Sequence, residues 1–382
     1  MKYYKIVFSI LVLTVLIIPL FHMNTSEITE QENRTLEEFP ELKKKDKLNT
    51  DFGKEFESWL GDRFWGRNEL IDARSQMLYK VNGRIENEKV FIGDDGWMFE
   101  KWNTVNRPSI KKQREKIEKD VEILKRFADK LKRKNVSIYL MLIPEREVLY
   151  QKYWERYYKA KPYLDNGEEI TKLLSDYHNI EVIYPKKEFI EVSEKKRLFY
   201  KEDLHLTFWG TQIIVNLLQK KFNVPIDVKK IVPDKTYQHS YLASSLNLTL
   251  QKGTDPSFHF KFDGIKSNYQ IEKQILNGKI VIFEKGKRLN SKNGKTAVII
   301  GACYAQDIVM PILREHYSSI LSLRTVIINT DKPFQKEALS EMDKGMREFS
   351  DFDVFLVYPL PLTKFGYGNF EELIEILKKN SS

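Results

Sequence analysis

Tyr200-Lys201-Glu202-Asp203-Leu204-His205-Leu206-Thr207-Phe208-Trp209-Gly210 is the stretch on which this chain turns. Asp203 and His205 stand two apart, just ahead of an apolar run, Ile213 to Leu218, that reads as a buried helix or strand. If the run is helical, Thr207 is the natural N-cap, its hydroxyl accepting from a free backbone N–H of the first turn. Asp203 and His205 then lie in the loop entering the helix, where the backbone is free to bring their side chains together. A carboxylate against one imidazole nitrogen fixes the tautomer and leaves the other nitrogen to act as a base. The plainer reading is a helix cap with a chance histidine nearby, so the pair needs company elsewhere.

Outward from this stretch, the chain alternates helical and buried-strand patterns. A long charged amphipathic pattern from about 111 to 133 carries Ile117, Val121, Leu124, Phe127 and Leu131, and Val136 to Ile143 is an apolar run of strand length ended by Pro144. Further strands are predicted at 180–184, 296–300, 325–328 and 352–358, with helices at 170–177, 305–317 (Pro311 inside it) and 370–379. Helix followed by buried strand predicts an α/β domain with a mainly parallel sheet. Between about 225 and 290 short alternating pieces and an Asn277-Gly278 turn signal predict a small β-rich insertion. Upstream, Val90 to Phe99 reads as two short strands about an Asp-Gly turn, and Phe52, Phe56, Trp59, Leu60 and Phe64 fall at helical spacing.

The company is Cys303. It follows Gly301-Ala302 on a sharp strand-to-helix turn, and a nucleophile there is exposed at the carboxyl edge of the sheet, where α/β folds place their sites. The N-terminus of the next helix offers backbone N–H groups that can hold an oxyanion and favour a thiolate. The alternative is that Cys303 is a small buried hydrophobe, as most lone cysteines are.

The 382 residues, 42% of them hydrophobic, support a substantial core, as one large domain with extras or as two domains. The net charge of +9 comes from lysines spread along the chain, which suits anionic surroundings such as wall polymer or lipid head groups rather than nucleic acid. With one cysteine there is no intrachain disulfide, and no Cys/His spacing calls for a metal. There is no phosphate-cradling Gly-rich loop and no internal repeat, so no cofactor is expected. Lys2 and Lys5 precede an apolar run, Ile6 to Phe21, with no small-residue cleavage pattern after it. That predicts an uncleaved signal anchor, with a cleaved signal peptide as the alternative and the remainder of the chain outside the cytoplasm.

Five blocks together resemble the alginate O-acetyltransferase-like branch of the SGNH hydrolase superfamily and its DHHW-type relatives. Glu32-Asn33-Arg34-Thr35-Leu36 with Phe39-Pro40 is similar to the family's juxtamembrane signature. Phe91 to Phe99 is similar to its Gly-x-x-Gly-Trp-Leu-Phe element, and Ile143-Pro144-Glu145 with Tyr150 to the segment after its first core strand. Asp203-x-His205-x-Thr207-x-x-Gly210 matches its catalytic block, and Gly301-Ala302-Cys303-Tyr304 stands where the family has Gly-Asp-Ser-Phe.

The resemblance implies a three-layer α/β/α SGNH-like fold in three parts. These are a transmembrane anchor at 1–23, a juxtamembrane segment at 24–100, and the SGNH-like domain at 101–382 with its insertion at about 225–290. It implies a catalytic set of Cys303 as nucleophile, His205 as base and Asp203 as its orienting carboxylate, departing from the family at 302 and 303. It further implies acyl transfer or ester hydrolysis on a cell-surface polysaccharide, with the acyl group supplied by a multi-span membrane acyltransferase. Trp209, Tyr304, Trp97 and Trp102 are the candidate aromatics for stacking against sugar. The competing reading is a non-catalytic polysaccharide-binding or scaffold subunit whose site has been lost at 302 and 303.

Overall fold

The computed structural model describes residues 2–360, except 27, 30–33, 45–46, 84, 133–135, 160–161, 225–230, 234–240, 247, 249–259, 263–267, 278–279, 290–293, 325–332 and 350. The chain divides into two compact units, Met1–Lys101 with Ser240–Gly253, and Trp102–His239 with Thr254–Ser382.

The second unit is built on seven strands: β1 (Ile138–Ile143), β2 (Ile180–Ile183), β3 (Tyr269–Asn277), β4 (Ile280–Arg288), β5 (Thr296–Gly301), β6 (Ser319–Arg324) and β7 (Phe352–Pro359). They lie side by side in the order β3-β4-β6-β5-β7-β1-β2. From β6 to β2 every pairing is parallel, and β3 and β4 close one edge as an antiparallel hairpin. β5 and β7 are buried along almost all of their length, which is why they read as near-continuous apolar runs.

The period of two sorts the side chains. Val298, Ile300, Val354, Leu356, Ile138, Leu140 and Leu142 point to one face. There they meet the apolar stripes of α1 (Ile110–Lys132), α2 (Asn166–Leu174) and α5 (Pro333–Glu348). On the other face Tyr139 stacks on Phe355 at 5.1 Å, and Phe222 packs edge-on against it at 5.2 Å. Phe222 ends α4 (Phe208–Phe222), which packs with α3 (Lys186–Ser193) and with the turns that follow Cys303. This is the three-layer arrangement expected.

Several expectations are corrected. The strand expected at 325–328 and the helix expected at 370–379 lie outside the described residues, and the strand β6, which was not expected, runs over Ser319–Arg324 just ahead of the first. The latter half of the expected β-rich insertion is the β3–β4 hairpin, which pairs with β6 and so belongs to the central sheet. An earlier pair, Ile231–Pro233 with Phe260–Phe262, stands apart from it. In place of one helix over 305–317 there is a π turn at Ala305–Val309 and a short α-helix at Met310–Leu313. Pro311 has no N–H for the carbonyl one turn back, which accounts for the widened turn.

In the first unit the apolar run forms a helix, Lys2–Phe21, and Phe52–Arg63, Arg67–Asn82 and the hairpin Val90–Ile92/Met98–Glu100 follow. Among the described residues no helix is long and apolar enough to cross a membrane, so the spanning helix expected at 1–23 is not found.

Candidate active site

Residues 198–207 form a tight double-armed loop. Phe199 bridges Leu206, the Tyr200 N–H donates to the His205 carbonyl (3.1 Å), and the Thr207 N–H donates to the Leu198 carbonyl (2.8 Å). The loop feeds straight into α4, and Gly210 lets that entry happen. A Cβ there would lie 2.5 Å from the Leu198 carbonyl oxygen. Thr207 holds the N-cap position in extended conformation, yet it does not cap as expected. Its hydroxyl instead donates back to the Arg197 carbonyl at 2.5 Å, tying the helix start to the incoming arm.

At the loop's tip Asp203 is 1% exposed, and its Oδ1 receives the His205 backbone N–H at 2.9 Å and faces the His205 ring Nδ1 at 2.5 Å. The opposite ring nitrogen, Nε2, lies 3.1 Å from Cys303 Sγ. The structure thus brings Asp203, His205 and Cys303 into one line from positions that are 98 residues apart across the His–Cys contact. The histidine side chain keeps 25% of its surface in solvent, and Cys303 is half-buried, so the pair is open to a reactant. Burial alone would lower the His205 pKa. The charge of Cys303 and the hydrogen bonds to Asp203 and Cys303 outweigh it, and the imidazole titrates well above its ordinary range.

Cys303 reaches this point because β5 ends one turn earlier against β7. The Ala302 N–H donates to the Val357 carbonyl (3.3 Å) and the Ala302 carbonyl accepts from Ala305 N–H (2.9 Å). Gly301 permits the approach, since a Cβ on it would run into the Val357 carbonyl oxygen.

Three groups hold the loop in place. Arg146, only 3% exposed, donates through Nε and Nη2 to the Tyr200 carbonyl (3.2 and 3.0 Å) and through Nη2 to that of Lys201 (2.9 Å). The Tyr150 hydroxyl accepts the Leu198 N–H at 2.9 Å, and the Tyr304 hydroxyl donates to the Leu204 carbonyl at 3.0 Å. Burial, then the charges of Cys303 and Asp203, push the Tyr304 phenol well above its usual range and keep it a donor. Tyr304, a candidate for sugar stacking, is in fact 3% exposed and sets its ring against His205 at 5.7 Å. Trp209 is half-buried on α4, with the Lys196 ammonium over its ring at 4.3 Å. Trp97 is buried in the first unit's hairpin, and Trp102 is exposed. The sequence reading missed Arg146. Its signal was a buried-strand run ending in Pro144 and followed at once by Glu145-Arg146-Glu147.

The same strand end carries a second polar group. Glu145 is buried and ion-paired with Arg107, and burial pushes its carboxyl up to about 7 against the pull of that guanidinium. Among the described residues no group of His, Cys, Asp and Glu is arranged to hold a metal ion.

Residues 90–221 match the family model for the SGNH hydrolase-like domain of the acetyltransferase AlgX. The AlgX-like resemblance read from the motifs stands. The matched span includes Asp203 and His205 and ends before Cys303. Among solved structures, a DHHW family protein from Eubacterium siraeum is similar with a TM-score of 0.53 and 13% identity, over 78% of this chain and 97% of that one. The O-acetyltransferase domain of Pseudomonas putida AlgJ is similar at 0.47 and 13%, over 76% and 99%. Bacillus cereus PatB1 with a sulfonyl adduct follows at 0.49 and 13%, over 72% and 95%. At 13% identity the likeness to the DHHW family protein is one of fold alone. No curated protein matches the chain.

Proposed function

We propose that the chain is an acyltransferase or esterase of the SGNH type, acting through Cys303, His205 and Asp203 on the O-acetylation of a cell-surface polysaccharide. The observation that carries the proposal is the unbroken line from Asp203 Oδ1 through the imidazole to Cys303 Sγ. In the first step the Cys303 sulfur attacks the acyl carbonyl carbon and a C–S bond forms. Backbone N–H groups of the turn hold the oxyanion. As the donor's C–O bond breaks, the His205 Nε2 proton goes to the leaving oxygen. In the second step neutral His205 takes the proton of an acceptor hydroxyl, the new C–O bond forms, and the sulfur leaves as thiolate. Asp203 holds the ring in the tautomer that presents Nε2 throughout.

Hydrolysis of a chromogenic acetyl ester by the full-length chain tests the reading. Activity is expected to vanish in Cys303→Ala and His205→Ala and to persist in part in Cys303→Ser, since an activated hydroxyl performs the same two steps. Hydrolysis indifferent to Cys303→Ala overturns it, in favour of the binding or scaffold subunit that Ala302 suggests.

The location belongs to the same proposal. Lys2 and Lys5 ahead of the apolar run support an extracytoplasmic domain held at the membrane by its N-terminal segment, with a multi-span acyltransferase as acyl donor. Protease added to intact protoplasts is expected to digest the domain, and protection of the whole chain would reverse the orientation.

A further inference from the structure

The carboxyl ends of β1 and β2 enclose a cavity of about 190 Å³ that the acyl-transfer scheme leaves unused. Pro144 and Glu145 directly follow β1, and Tyr184 directly follows β2. β5, which delivers Cys303, ends at the same edge of the sheet two strands away, on the order of 10 Å at the usual strand spacing. The cavity exceeds the roughly 150 Å³ that admits a benzene ring, so one six-membered ring fits. It also shares its structural supports with the active-site loop. Glu145 lines it, and the next residue, Arg146, holds Tyr200 and Lys201.

Its chemistry is mixed in a particular way. It is lined by the apolar side chains Val148, Leu149 and Ile190 and by the polar groups of Tyr163, Tyr184, Asp165, Lys186 and Glu145. The charges of that lining are already matched. Lys186 is bonded to Asp165 at 2.7 Å and Glu168 at 2.6 Å, and Arg107 is paired with Glu145. The Tyr184 hydroxyl donates to Asp165 at 3.1 Å. Lys186 in the lining and Arg107, which pairs with the lining Glu145, therefore already hold carboxylate partners, so a ligand carboxylate would have to compete with Asp165 or Glu145 for them. A neutral ring rich in hydroxyls meets no such competition, and it can exchange hydrogen bonds with the polar lining while its apolar face packs on the aliphatic side chains or on Tyr163.

We infer that this cavity is a subsite for a neutral pyranose unit of the polymer, flanking the acylated position and selecting against uronate. The inference rests on the acyl-transfer reading for its place in a reaction but not for its binding. Calorimetric titration of the full-length chain with cellotetraose and with tetragalacturonate tests it. Cellotetraose is expected to bind at least tenfold more tightly. Tyr163→Ala, which removes a partly exposed ring, and Ile190→Trp, which fills the cavity from its exposed rim, are each expected to weaken that binding at least tenfold with melting temperature unchanged. Cys303→Ala is expected to keep it, so loss of ester hydrolysis and loss of sugar binding are read separately. Absence of cellotetraose binding, equal or better binding of the uronate, or binding indifferent to both cavity variants overturns the inference, whatever Cys303 does to ester hydrolysis.

Discussion

Arg146→Met removes the guanidinium that grips the Tyr200–Lys201 arm of the loop. Three N–H···O contacts to the Tyr200 and Lys201 carbonyls are lost at a residue that is 3% exposed. Hydrogen bonds to a charged group contribute about 1.5–3 kcal/mol each. Two of the three share the Tyr200 oxygen, so they count as roughly two acceptors. Glu147, equally buried, also loses its ion-pair partner at 3.6 Å. The apolar stem of Met recovers part of the packing, which leaves an expected destabilisation of about 3–5 kcal/mol, the range for breaking a buried charged pair. Urea unfolding of the full-length chain reads that quantity. Arg146→Lys is expected to recover only part of it, because an ammonium does not reproduce the planar fork. A second reading separates loop placement from bulk stability. In the folded protein below the transition, the rate of Cys303 alkylation is expected to fall in Arg146→Met, since His205 is no longer held against the sulfur. An Arg146→Met protein within about 0.5 kcal/mol of the parent, with the parent's alkylation profile, would refute the argument. Tyr150 and Tyr304 would then suffice to hold the loop.

Three further outcomes are expected. Because His205 titrates well above its ordinary value of about 6.5, its positive charge is complete below that value and is lost only as pH rises through the raised folded-state value. Iodoacetamide alkylation of Cys303 is therefore expected to stay fast below neutral pH and to slow there in His205→Ala; superimposable profiles would count against an activated sulfur. Asp203→Asn keeps the shape of the loop but can present the wrong tautomer, so ester hydrolysis is expected to drop on the order of 10⁴-fold by the logic of a catalytic triad; a loss under tenfold would remove Asp203 from its role. Gly301→Ala sets a methyl group against the Val357 carbonyl oxygen in a fully buried strand, with an expected cost of about 1–3 kcal/mol in urea unfolding; a neutral result would show that β5 and β7 can part there.

Much of the sheet was legible because its strands are short apolar runs closed by breakers, as Val136–Ile143 is by Pro144. Legibility failed where a buried residue looks polar. Ser322 is fully buried in the middle of β6, and Gln306 donates to its hydroxyl at 3.2 Å, so Ser319–Arg324 lacks an unbroken apolar pattern and does not read as a strand. The β3–β4 hairpin was set apart as an insertion because edge strands carry Lys and Glu, a pattern that discourages further pairing. Asp203, His205 and Cys303 could be proposed as partners because each lies beside a helix start or strand end. Arg146 could not, since one arginine after a strand reads like any solvated charge until its carbonyl partners are seen.

Position 302 is where the sequence departs furthest from the resemblance, and the fold says what the departure does. Ala302 is fully buried, its N–H donating to the Val357 carbonyl and its own carbonyl accepting from the Ala305 N–H. A carboxylate on that buried Cβ would need its own hydrogen-bond partners to offset desolvation, a cost an alanine does not incur. The backbone geometry that ends β5 and presents residue 303 is supplied by Gly301 and these two hydrogen bonds, none of which involves the side chain at 302. The carboxylate that faces the imidazole comes from Asp203, on a different loop and held by different contacts. Ala302 therefore removes a side chain without removing the line from carboxylate to imidazole to sulfur. Any loss of activity has to come through the looseness of the turn, and Ala302→Asp separates the two possibilities. If that substitution raises ester hydrolysis, the family's acidic residue contributes chemistry that this chain lacks. If it lowers both hydrolysis and melting temperature, the turn is built for a small side chain, and Cys303 works without its neighbour.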